Sequence, residues 1–107
     1  MKIHRRRWGL SQRELSHLLL DISTSALARY EAGACLPPFR VIVAMEVVFG
    51  PTAKELYPHL FAEVEEQVLR QAASFSIRLE GQRGTRADIK RELLHAIGER
   101  ASSSATA

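Results

Sequence analysis

Residues 9–33 read Gly9-Leu10-Ser11-Gln12-Arg13-Glu14-Leu15-Ser16-His17-Leu18-Leu19-Leu20-Asp21-Ile22-Ser23-Thr24-Ser25-Ala26-Leu27-Ala28-Arg29-Tyr30-Glu31-Ala32-Gly33. Glycines bracket the stretch and stop regular structure at both ends. Ser11 and Glu14 have the spacing of a capping box, in which a hydroxyl and a carboxylate satisfy two orphan amide donors reciprocally. Leu15, Leu18 and Leu19 share one face of the helix that follows. Asp21-Ile22-Ser23 is too short for anything but a tight connection, and Ser23 is a good cap for a second helix. Leu27 and Tyr30 give that second helix its inward face. Helices over 12–20 and 24–31 therefore form the outline of a helix-turn-helix.

Outward from this pair, Gly and Pro keep dividing the chain into helical lengths. Breaks fall at Pro37-Pro38, Gly50-Pro51, Pro58, Gly81 and Gly84, and no segment alternates as a strand would. The spacing predicts further helices over 2–8, 38–49, 52–57, 58–80 and 86–99. Pro38 suits a helix's first turn, where its missing N–H costs nothing. Thr52–Glu55 and Thr85–Asp88 repeat the capping-box spacing. Val41, Ile42, Met45, Val48 and Phe49 make a broad core stripe, with Leu56 and Tyr57 closing the base. Trp8 is expected to pack against this bundle. Residues 101–107, Ala-Ser-Ser-Ser-Ala-Thr-Ala, are low in complexity and are expected to be disordered.

The 107 residues carry a net charge of +3 and a sequence pI near 9.5. That length leaves no room for separate cofactor and substrate domains. Charged residues interrupt every apolar run well short of a membrane span. The start of the chain is basic but lacks a signal's apolar segment. Cys35 is the single cysteine, which excludes a disulfide framework and a cysteine zinc site. His4, His17, His59 and His95 are scattered without metal-ligand spacing. A cytoplasmic protein without cofactor, metal or catalytic residues is expected. The charge is uneven. Residues 1–40 hold Lys2, Arg5, Arg6, Arg7, Arg13, Arg29 and Arg40 against Glu14, Asp21 and Glu31, a net +4. A polyanion partner is one explanation and a solvated basic surface is the other.

The combination Gly9-Leu10-Ser11-Gln12, Leu15-Ser16, Ile22-Ser23, Leu27-Ala28-Arg29-Tyr30-Glu31, Gly33, Leu36-Pro37, Phe49-Gly50 and Glu55-Leu56 resembles the phage-repressor helix-turn-helix family (Cro/C1, or XRE-type) over about residues 3–58. The resemblance implies an all-α fold: five short helices as a lambda-repressor-like DNA-binding bundle, then a long helix and a C-terminal helix. It implies a transcriptional regulator, more often a repressor, that binds double-stranded DNA with helix 24–31 in the major groove. Thr24, Ser25, Ala28 and Arg29 then face the bases. Arg29 is the one group able to grip guanine O6 and N7 together. Ser11, Gln12, Arg13, Ser23, Arg5, Arg6, Arg7 and Arg40 become phosphate contacts, although Ser23 is explained equally by its cap. Arg5 and Glu31 sit where relatives place an internal ion pair. The interval from Gln12 to Glu31 is one residue longer than usual in the family, and the extra residue falls near Leu20-Asp21, where relatives often carry Gly.

The second half is different in character. Leu60, Phe61, Val64, Val68, Ala72, Phe75 and Leu79 line one helical stripe, and Ile89, Leu93, Ala96 and Ile97 line another. The two helices can fold back on each other at Gly81-Gln82-Arg83-Gly84. Residues 59–100 then pack on the first bundle, bind a partner protein, or dimerise through Phe61, Val64, Val68, Phe75, Leu79, Leu93 and Ile97. One such domain reads few base pairs, so a homodimer reading two half-sites is expected. An antitoxin whose 59–100 helices bind a toxin is a second possibility, and an adaptor bridging proteins or RNA is a third. The expected organisation is 1–58 for DNA binding, 59–100 for assembly and 101–107 as a loose tail.

Overall fold

A computed structural model describes residues 1–106, with side chains through residue 103. The described chain is all-α: five short helices precede a long helix and a C-terminal helix. They are α1 (Lys2–Arg7), α2 (Gln12–Leu18), α3 (Thr24–Glu31), α4 (Phe39–Phe49), α5 (Ala53–Leu56), α6 (Pro58–Arg78) and α7 (Thr85–Thr106). The chain divides into two compact units, Met1–Pro58 and His59–Ala107. No helix among the described residues is long and apolar enough to cross a membrane.

The first unit is built around Leu15 and Leu19 beside α3's Leu27 and α4's Val41 and Met45, all buried. Leu10, Ile22, Tyr30, Ile42, Val48, Phe49, Leu56 and Tyr57 pack around them. Two capping boxes form as their spacing predicts. Glu14 N–H donates to Ser11 Oγ at 3.1 Å while Ser11 N–H donates to the Glu14 carboxylate at 2.9 Å. Thr52 and Glu55 repeat the exchange at 3.3 and 3.2 Å.

Several expectations are corrected. Helix α2 stops at Leu18 rather than 20, because Leu20 and Asp21 both adopt left-handed backbone, with φ of 64° and 59°. A left-handed L-residue costs about 1–2 kcal/mol. Leu18 flanks the buried Leu15–Leu19 line on its solvent side, 49% exposed, while Ser16, on the other flank, is buried. Trp8 is 65% exposed rather than packed. It follows α1 as its C-cap, and Gly9 beyond it turns the chain with φ of 69°. Pro38 caps α4 rather than opening its first turn.

The second unit is a helical hairpin. Helix α7 begins at Thr85 itself, after Gly84 with φ of 114°, so Thr85 is not its cap. Asp88, expected to complete a capping box, instead binds Arg91 at 3.1 Å. Arg91 also donates to the Leu79 carbonyl at 2.9 Å and to the Gln82 carbonyl, tying down the end of α6. A cation bound to a helix's last carbonyls is favourable there. The expectation of disorder over 101–107 is corrected for 101–106, which continue α7. Helix propagation adds a hydrogen bond per residue, and Ala101 to Thr106 contain neither Gly nor Pro to stop it. Ala107 lies outside the described residues.

Candidate nucleic-acid interface

The α2–turn–α3 pair is held by polar contacts at both ends of α3. At its start, Ser23 Oγ accepts from Ala26 N–H at 3.0 Å. At its end, Glu31 accepts from Arg5 Nε at 2.7 Å and Nη2 at 3.2 Å, and from the Gln12 amide at 2.9 Å. Arg5 Nη1 donates in addition to the Leu10 carbonyl at 3.0 Å. The Arg5 and Glu31 side chains are only 13% and 4% exposed. Three elements, α1, α2 and α3, thus meet at one carboxylate. Burial by itself would raise the Glu31 pKa. The hydrogen bonds from Arg5 and Gln12, with the charges of Arg5 and Lys2, outweigh it and hold the carboxyl below its ordinary value.

Between these anchors α3 turns Leu27 into the core and leaves Thr24, Ser25 and Arg29 exposed, with Ala28 half-buried. Arg29, Arg6, Arg7, Arg13 and Arg40 are all exposed and form no ion pair among the described residues. The first unit therefore presents five uncompensated guanidinium groups, and Arg5 is not one of them. Its charge is matched by Glu31 and three of its five N–H groups are engaged.

The start of α2 departs from the simplest phosphate site. Its positive end is already met by Glu14, whose carboxyl is held below its ordinary pKa by hydrogen bonds from the Ser11 backbone and side chain. Ser11 is committed to that box, and the Gln12 amide to Glu31. The N–H groups of Gln12 and Arg13 remain the donors that the capping box leaves over at this terminus.

An apolar groove of about 370 Å³ beside this pair escaped the sequence reading. Leu18, Leu20, Phe39, Val43 and Val47 line it, with Arg40 among them. Of its lining, Leu18 belongs to the α2 stripe, which helical period assigns to the interior, while Phe39, Val43 and Val47 lie beyond the α4 stripe. No cluster of His, Cys, Asp and Glu among the described residues could hold a metal ion. Cys35 is exposed. Of the residues expected to dimerise, Phe61, Val64, Val68, Phe75 and Leu93 are exposed and Ile97 is half-buried. Leu79 is buried at 3% exposure, where the hairpin turns, and is not available to a partner.

No family model, curated protein or solved structure matches the chain.

Proposed function

We propose that the first unit binds double-stranded DNA in a sequence-specific way, with α3 in the major groove, as a homodimeric transcriptional regulator of the repressor kind. One observation supports this most. Helix α3 is pinned at its start by Ser23 and at its end by the Arg5–Glu31–Gln12 cluster, while its outward face carries only Thr24, Ser25 and the unpaired Arg29. A helix that is rigidly placed and polar outward is suited to reading base edges. Arg29 supplies the guanine contact, Thr24 and Ser25 bond to bases or phosphate, and Ala28 offers a methyl. With so few reading groups, part of the specificity comes from DNA shape. Arg6, Arg7, Arg13 and Arg40 supply phosphate attraction.

Selection from a random duplex library tests the reading. Enrichment of a short two-fold site is expected, and Arg29→Ala is expected to relax one position of each half-site by about 1–3 kcal/mol. Affinity should fall steeply with salt, and Arg13→Ala should make that dependence shallower. A library that shows no enrichment, with unchanged affinity for Arg29→Ala, sinks the proposal. The exposed apolar rows of the second unit favour one other reading, an antitoxin whose α6 and α7 bind a toxin. Co-purification with a small partner protein would select it.

A further inference from the structure

The second unit leaves much of its apolar surface exposed in a single copy. Among its described residues only Leu79 and Ala87 are buried. Phe61, Val64, Val68 and Phe75 on α6, with Ile89 and Leu93 on α7, are each 38–58% exposed. Between α6 and α7 lies an apolar groove of about 280 Å³, walled by Val68, Ala72, Phe75, Leu93 and Leu94. Exposed rows of this extent on so small a unit mark an interface.

Two patterns identify the occupant. The first is the spacing on α6. Phe61 and Phe75 lie seven residues either side of Val68, and at about 100° per residue all three share one face. Antiparallel pairing of two α6 helices about an axis at Val68 sets Phe61 of each copy against Phe75 of the other. It also sets Val64 against Ala72, and Glu65 against Gln71. The second pattern is charge. The turn end of the hairpin, residues 75–91, carries Arg78, Arg83, Arg86, Lys90 and Arg91 against Glu80 and Asp88, a net +3. The rest of the unit carries Arg70 and Arg100 against Glu63, Glu65, Glu66, Glu92 and Glu99, a net −3. Antiparallel pairing brings opposite ends together, whereas parallel pairing stacks like on like.

We infer that a second copy of this chain seats antiparallel on the hairpin, with Phe61 of each copy filling the Val68–Phe75–Leu93 groove of the other. An aromatic side chain in a dry groove is the usual energetic centre of an interface. The arrangement does not depend on the DNA reading.

Sedimentation of the full chain without DNA tests the inference. The expected result is a dimer at micromolar concentration, weakened about 30-fold or more by Phe61→Ala with helical content retained. Added salt should weaken it further. Orientation is read by mixing a Val64→Cys chain with an Ala72→Cys chain, both carrying Cys35→Ser, and oxidising. Mixed 64–72 cross-links are expected. A monomeric wild type, a dimer indifferent to Phe61→Ala, or cross-links only between like positions would each overturn the inference. If Phe61→Ala fails to fold, the cross-linking pair decides, since both its changes are small. Because no DNA is present, failure here removes the hairpin dimer but leaves DNA binding by the first unit standing, and the reverse holds too.

Discussion

The two units are of similar length but are stabilised in opposite ways. The first closes over a cluster of five buried apolar residues and fixes its α2–α3 pair with an enclosed carboxylate. Among its described residues the second buries two, ties its turn with Arg91, and leaves Val64, Val68, Phe75 and Leu93 each 38–55% exposed. Helices form in both units, with side-chain caps at Ser11, Ser23 and Thr52 in the first. What differs is whether the apolar faces find partners within the same unit. The first unit has five short helices that can surround a centre. The second has two long ones, and two helices can cover only one seam between them.

Substitutions can break this comparison or sharpen it. The largest effect is expected from Glu31→Ala, which leaves the Arg5 guanidinium enclosed without its anion and costs about 3–5 kcal/mol in urea unfolding. The same carboxylate sets an acid limb. Its folded pKa lies below the unfolded value of about 4.3, so its contribution is complete above that pH and is lost as pH falls through the lowered value. Glu31→Gln should flatten the limb. If the limb is unchanged, the cluster is not what holds α3.

Core truncation is next. Leu27→Ala should cost about 2–5 kcal/mol by opening a cavity. Leu93→Ala, on an exposed row, should cost the single chain far less, with its effect appearing as a concentration-dependent loss of stability. Equal costs at low concentration would dissolve the contrast between the units. A smaller effect of opposite sign is expected at the α2–α3 turn. Leu20→Gly relieves a left-handed backbone and should stabilise by about 1 kcal/mol, seen as a raised Tm. The smallest concerns the exposed Arg70–Glu66 pair of α6, 3.1 Å apart. Arg70→Ala should change stability by about 0.5 kcal/mol or less.

Much of the fold was legible because it is written in local chemistry. Capping boxes at Ser11 and Thr52, glycines at 9, 33 and 50, and prolines at 38 and 58 act within a few residues, and the helix boundaries follow them. The failures are equally local in sequence but not in cause. Leu18 belongs to the apolar stripe of α2 and still faces solvent, because α3 and α4 close over Leu15 and Leu19 beside it. Thr85 and Asp88 have capping spacing, yet Gly84 and Arg91 give them other roles. In the candidate interface, the exposed Thr24, Ser25 and Arg29 follow from helical period and the Leu27 anchor. That Gln12 is drawn into the Glu31 cluster, and that Glu14 already meets the positive end of α2, required knowing which side chains converge.

By itself, then, the sequence determined an all-helical chain, a tight α2–α3 connection, and a basic first forty residues beside a neutral second half. Hydrogen bonds to near neighbours and the 3.6-residue period are encoded by adjacent residues, so reading along the chain recovers them. Only the tertiary structure decided which guanidinium groups remain free, which leucines are enclosed, and that the hairpin leaves its apolar rows uncovered. Those outcomes depend on competition among residues tens of positions apart for the same carboxylate or the same interior space. Arg5, Gln12 and Glu31 are the plainest case: three residues on three helices, whose polar groups satisfy one another once packing has brought them within 3.2 Å.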